Sequence, residues 1–229
     1  MLLSLAAFAL CSLALFLFKV DWEKAAMAAV AVVLLFWPLA AERVLRARFS
    51  PGLVAALAAF ALGPMLGQAY QLYYRLPVWD SILHAASGVL FALIGFYTPV
   101  LATRGQAAPS KPFRYAAATG AALATAVLWE FFEFGSDRLF GTDMQNDAIV
   151  YEITSYLLGP GMGEVGTLRN IGSVAVNGRE LGLGGYLDIG LIDTMTDMLA
   201  CAGGAVLFCL GETVNKGRRK AITPANPPK

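Results

Sequence analysis

The chain has 229 residues, 58% of them hydrophobic and only 14% charged, with a formal net charge of +1. With a mean hydropathy of +0.62, this is too apolar for an ordinary soluble domain, and the near-zero charge excludes the broad basic field that nucleic acid would need. The class is membrane protein, and any electrostatic argument has to be local.

A helix needs about 20 apolar residues to cross the hydrocarbon core of a bilayer. In chain order the apolar runs are Leu2 to Phe18, Ala25 to Ala41, Leu53 to Tyr73, Asp80 to Leu101, Tyr115 to Phe134 and Asp188 to Leu210. The first lacks a basic segment before it, and Lys19 follows the run, so it is expected to be an uncleaved span rather than a secretion signal. Gly63-Pro64 falls inside the third run, where a kink is expected. The fold class predicted is all-α, a polytopic transmembrane bundle of about six spans covering 1–214, followed by a basic tail at 215–229 expected to be disordered. Cys11, Cys201 and Cys209 all lie in apolar runs without metal-ribbon or redox spacing, and read as reduced packing residues.

Lys and Arg are retained on the cytoplasmic side of a membrane. Arg43, Arg46 and Arg48 follow the second run; Arg104, Lys111 and Arg114 follow the fourth; Lys216, Arg218, Arg219 and Lys220 follow the sixth. Six spans then put both termini in the cytoplasm. The long loop 135–187 lies on the outer side, where a short interfacial helix is expected over Asp147 to Leu158. A hairpin is expected over Ser173 to Leu183, around the turn-forming Asn177-Gly178. No internal repeat is evident, which weakens an inverted-repeat transporter reading.

The acids are not scattered. Asp80 and His84 are one helical turn apart, with Gly88 and Ala92 continuing their stripe. Ala122, Ala126, Glu130, Glu133 and Asp137 recur at spacings of three and four, as do Gly190, Asp193, Asp197, Cys201 and Gly204. Small residues let membrane helices approach closely, so each stripe is expected to face the bundle interior, with its acids at the outer end. An ionised acid in mid-membrane costs about 2.5 to 3.5 kcal/mol on insertion scales. No Lys or Arg lies in these runs, so the compensating charge must come from protonation, from Arg75 or Arg138, or from a bound cation. Carboxylates and an imidazole on facing helices are how bundles build metal sites. Asp80, His84, Asp193 and Asp197 are the expected ligands of a divalent ion, with Zn, Mn, Fe and Mg all compatible with the donor set. Each element also has a structural reading. His84 alone suits a helix contact, Glu130 and Glu133 can face interfacial water or pair with Arg138, and Asp137, Asp143 and Asp147 suit solvated loop acids. Trp79, Trp129, Tyr73 and Tyr74 read as an interfacial aromatic belt.

At Trp129-Glu130-Phe131-Phe132-Glu133-Phe134, Leu139-Phe140-Gly141-Thr142-Asp143-Met144-Gln145 and Asp188-Ile189-Gly190-Leu191-Ile192-Asp193-Thr194-Met195-Thr196-Asp197-Met198, the chain resembles the YjdF-like family of bacterial integral membrane proteins. The likeness covers roughly Trp79 to Gly204, and Asp-Thr-x-x-Asp is its most specific part. It implies a bacterial inner-membrane location and a six-helix-type bundle, and it supplies no reaction. The stretch from Tyr151 to Leu183 is a longer excursion than that pattern requires.

Three functions are compatible with these residues. The first is a metal-dependent hydrolase or transferase acting on a lipid or envelope precursor, with Glu130 or Glu133 as general base and Asp143 and Gln145 positioning a head group. The second is a cation- or proton-coupled permease using the same acids. The third is a structural or partner-binding membrane protein. No Ser-His or Cys-His pair supports covalent catalysis. A polar pathway that stops halfway along the spans favours the first reading over a conduit.

Overall fold

The structure is a computed structural model, described here for residues 1–103, 107, 109–214 and 222–225. It divides into two compact units, Met1–Val127 with Asp197–Lys229, and Leu128–Thr196. Its helices are α1 (Leu2–Phe18), α2 (Trp22–Val44), α3 (Pro51–Ala69), α4 (Leu72–Arg75), α5 (Trp79–Ala102), α6 (Lys111–Phe140) and α7 (Leu191–Val214). Its strands are β1 (Ala47–Phe49), β2 (Ala148–Val150), β3 (Glu152–Ser155), β4 (Gly166–Arg169), β5 (Ala175–Val176), β6 (Arg179–Glu180), β7 (Tyr186–Asp188) and β8 (Ile222–Pro224). Among the described residues, α2, α3, α5, α6 and α7 are long and apolar enough to cross a membrane, while α1 is apolar but only 17 residues long. The all-α polytopic reading holds, with small two-stranded ribbons added to it.

The helix ends follow local chemistry. Asp21 starts α2, its carboxylate accepting from the Lys24 amide at 3.3 Å and pairing with the Lys24 ammonium at 2.6 Å. Those Lys24 contacts hold the Asp21 carboxyl below its ordinary range. Ser50 caps α3 through the Leu53 amide, and Pro51 occupies the first turn, where its missing N–H costs nothing. Pro64 lies inside α3. The third apolar run ends as a helix at Ala69, earlier than expected, because Gln71 takes a left-handed conformation that begins the short α4.

In the first unit α1, α2 and α3 share an alanine-rich core that includes Ala9, Ala28, Ala58, Leu35 and Met65. A second core joins β1, α3, α5, α6 and α7 through Leu57, Ala92, Phe96, Ala118, Ala122, Cys201 and Ala205. The small-residue stripes are buried there as the sequence predicts, with Ala92, Ala122 and Cys201 each 0% exposed. At Gly88 of α5 a Cβ would lie 2.0 Å from the Cys201 carbonyl oxygen, and at Gly204 of α7 one would lie 2.0 Å from that of Ala85. The two backbones therefore touch at reciprocal glycines, and no other residue fits at either position without displacing a helix. Gly95 makes the matching approach to α6, against the Ala117 carbonyl and the Ala121 side chain. The expectation of disorder for 215–229 lies largely outside the described residues. Within that stretch Ile222–Pro224 form β8, antiparallel to β1, with Ile222 buried.

The second unit contains the last turns of α6, the first turn of α7 and the ribbons between them. The helix expected over Asp147 to Leu158 is absent. Those residues form β2, β3 and a single 3₁₀ turn at Tyr156–Leu158. The cause is their partners: β2 pairs antiparallel with β7, and β3 with β4, each taking backbone groups that a helix would have kept for itself. Asn177 and Gly178 form the turn between β5 and β6 as expected, at φ 51° and 79°, values that suit the primed turns of two-residue hairpins.

Candidate metal centre

In the first unit α5 and α7 bring three of the predicted ligands together. Asp80 and His84 stand one turn apart at the start of α5, and Asp197 faces them from α7. His84 Nε2 lies 3.6 Å from Asp80 Oδ1 and 3.4 Å from Asp197 Oδ2. His84 and Asp197 are buried, and Asp80 is partly so. The glycine contact explains the placement. Gly88 is one turn beyond His84, and Cys201 is one turn beyond Asp197, so the backbone approach there sets imidazole against carboxylate one turn away.

Polar groups beneath the cluster are tied down. Ser87 Oγ donates to the His84 carbonyl at 2.7 Å and contacts Cys201 Sγ at 3.6 Å, and the Cys201 thiol donates to the Ala122 carbonyl at 3.5 Å. Cys201 is a free, buried packing residue that joins α7 to α5 and α6. Its place on the stripe of Asp197 and Gly204 predicts its burial, while only the placement of α5 and α6 gives it partners.

The second unit holds the remaining acids. Glu130 and Glu133 are buried on the last turns of α6, and Glu133 Oε1 accepts from Trp129 Nε1 at 2.8 Å. Trp129 is therefore a hydrogen-bond donor to a buried acid, a role readable from its spacing of four to Glu133. Arg138, one of the expected compensating charges, stacks its guanidinium over the Phe134 ring at 5.3 Å. Asp137 is not the solvated loop acid expected. It lies within α6 and accepts from Thr142 Oγ1 at 2.7 Å, the Met144 amide at 2.7 Å and the Gln145 amide at 3.0 Å. That carboxylate folds the loop back over the end of its own helix.

The fold-back places the next residues against the start of α7. Gln145 Nε2 donates to Thr194 Oγ1 at 2.6 Å, and Asn146 donates to Asp193 through its amide at 3.1 Å and its side chain at 3.4 Å. Gly190, at φ 92°, lies outside the helical stripe drawn for it, in the turn before α7. A Cβ there would meet Gln145 Cβ at 2.6 Å. Asp188 ends β7, and its carboxylate accepts the Ile192 amide at 2.9 Å, which is why α7 begins three residues later than the apolar run. Asp193 thus has Asn146 as its partner and stands one turn before Asp197 on α7. Asp143 is exposed. Partial desolvation, then repulsion from Asp147 and Asp137, push its carboxyl above the ordinary value. A groove of about 290 Å³ is lined by Tyr115, Thr119, Val206, Cys209, Leu210 and Thr213, none of them among the predicted site residues.

A multi-span helical protein with a buried imidazole between carboxylates is the class these features define. Residues 1–217 match the family described as "Predicted membrane protein (DUF2238)", and the chain belongs to that family. Neither a curated protein nor a solved structure matches it. That description carries the membrane class expected from the sequence.

Proposed function

We propose that Asp80, His84 and Asp197 hold a divalent cation, and that the protein is a metal-dependent hydrolase or transferase acting on a lipid or envelope precursor at the bacterial inner membrane, with both termini cytoplasmic. The observation that carries this reading is the spacing around His84 Nε2. At 3.6 and 3.4 Å both carboxylate oxygens are too far for charge-assisted hydrogen bonds, which run about 2.7 to 2.9 Å. The 3.4 Å between His84 and Asp197 suits two ligands of one ion, since tetrahedral ligands on bonds of about 2.0 to 2.1 Å stand roughly 3.3 to 3.4 Å apart. Imidazole nitrogen and carboxylate oxygen are donors that zinc, manganese and iron all accept.

Such an ion supplies Lewis acidity toward a phosphoryl or carbonyl oxygen and acidifies a bound water. The chain's own residues do the rest in this reading. Asp193, one turn from Asp197, is the fourth ligand expected from the sequence. From the sequence, Glu130 or Glu133 is the expected general base, and Asp143 and Gln145 are the expected head-group contacts. The backbone contact at Gly88 and Gly204 counts against a permease, because it leaves no room for a polar route between α5 and α7 beneath His84.

The test is metal content by mass spectrometry on the purified full chain, for wild type, His84→Ala, Asp197→Asn and Asp193→Asn, each first shown to insert and remain monodisperse. The expected result is one ion per chain in the wild type, lost in His84→Ala and Asp197→Asn. Wild type that stays metal-free after purification with added Zn, Mn, Fe or Mg sinks the proposal and leaves proton relay or partner binding.

A further inference from the structure

The hairpin of β3 and β4 is polarised along its length. At its base Glu152 pairs with Arg169, Nε to Oε2 at 3.0 Å. Between Glu152 and Glu164 lie eleven uncharged residues, Ile153 to Gly163. The tip turns Tyr156, Leu157 and Met162 outward, at 68%, 95% and 105% exposure. Apolar side chains this exposed forgo most of the stabilisation that burial would give them.

Three backbone amides of the same tip find acceptors within it. Ser155 Oγ accepts the Leu157 amide at 3.1 Å, the Tyr156 carbonyl accepts the Gly159 amide at 3.3 Å, and the Gly161 carbonyl accepts the Glu164 amide at 3.1 Å. Pro160 has no amide proton to satisfy. Gly159 and Gly166 let the two arms cross closely, since a Cβ at either would lie within 2.0 Å of a carbonyl oxygen on the opposite arm. Unsatisfied peptide groups are what keep loops out of lipid, and internal pairing lowers that cost.

The tip is also tethered near a bilayer. β2 pairs with β7, which ends three residues before α7 begins, and β3 starts two residues after β2 ends. One strand of four residues spans roughly 13 Å, so the tip cannot stand far from the helix ends. We propose that Tyr156, Leu157, Leu158 and Met162 form a membrane-contacting tip that enters the interfacial region of the leaflet from which this unit emerges. The carboxylate of Glu164 limits that entry to shallow depth. The β5 and β6 hairpin of the same unit has the opposite character, with Asn177, Arg179 and Glu180 at its end.

The test uses the full chain in phosphatidylcholine vesicles containing lipid brominated near the head of its acyl chains. Leu157→Cys, Met162→Cys and Asn177→Cys are each labelled with an environment-sensitive fluorophore, in a Cys11→Ser, Cys201→Ala, Cys209→Ala background that reconstitutes normally. Labels at 157 and 162 are expected to lose most of their emission to the brominated lipid, and the label at 177 none. Equal, unquenched emission at all three overturns the proposal. So does blue-shifted but unquenched emission at 157 and 162, which would place the tip against protein. A second measurement needs no substitution: Met162 in vesicles should oxidise far more slowly in aqueous oxidant than the free peptide of residues 156–163, and equal rates would overturn the proposal.

Discussion

Asp197 and Asp137 sit at similar points of their helices, near an end and among other acids, yet they are used in opposite ways. Asp137 accepts three short hydrogen bonds, two of them from backbone amides, and so fills most of the four lone-pair positions a carboxylate offers. Its charge is spent on shaping a loop. Asp197 is 2% exposed and presents Oδ2 to an imidazole at 3.4 Å, a distance that leaves the pair short of a good hydrogen bond. The lesson is that an acid in this chain takes its role from the groups its carboxylate faces rather than from its depth or its neighbours in sequence.

The comparison is broken most forcefully at Gly88. In Gly88→Val the new side chain begins 2.0 Å from the Cys201 carbonyl, so α5 and α7 have to separate. The expected cost is about 3 kcal/mol or more. Thermal unfolding in detergent should show the loss, and any bound metal should go with it. The amides of Met144 and Gln145, held by Asp137, should keep their hydrogen-exchange protection. A Gly88→Val protein as stable as wild type would mean the two backbones do not touch.

The reverse perturbation is smaller. Asp137→Asn removes the charge and leaves one oxygen to serve three donors, a loss of about 1.5 to 3 kcal/mol for hydrogen bonds to a charged acceptor. The Met144 and Gln145 amides should then exchange faster, while metal content stays at the wild-type level. If metal is lost with Asp137→Asn but the chain stays folded, Asp137 belongs with Asp197 and the distinction between the two acids fails.

The two acids also differ in how far the sequence foretold them. Asp80, His84 and Asp197 were legible because each lies on a helical stripe with small residues. A period of 3.6 and a preference for close helix packing are enough to put Gly88, Ala92, Cys201 and Gly204 on one buried face. The role of Asp137 was not legible, because its partners are amides seven and eight residues on, and nothing in the residue types there announces a fold-back. The same holds for β2 and β7, paired across almost forty residues of loop. Asp147 to Leu158 carries a pattern compatible with a helix when read alone, and only the distant strand decides against it.

The finest probe of the comparison is Asp143. Partial desolvation first, and then the nearby charges of Asp147 and Asp137, raise its carboxyl above the ordinary 3.8. A raised pKa means the folded chain holds that proton more tightly than the unfolded chain does. The resulting stabilisation is complete below the unfolded value and is lost as pH rises through the folded one. At neutral pH the wild type has therefore lost it, whereas Asp143→Asn, always neutral, escapes the repulsion. The variant should be more stable near neutrality by no more than about 0.5 kcal/mol, because the site is exposed, and indistinguishable from wild type below 3.8. Paired thermal melts at the two pH values measure this. A variant that is instead less stable at neutral pH would mean that the ionised Asp143 meets a cation in the folded chain, which would place it with the ligand-like acids.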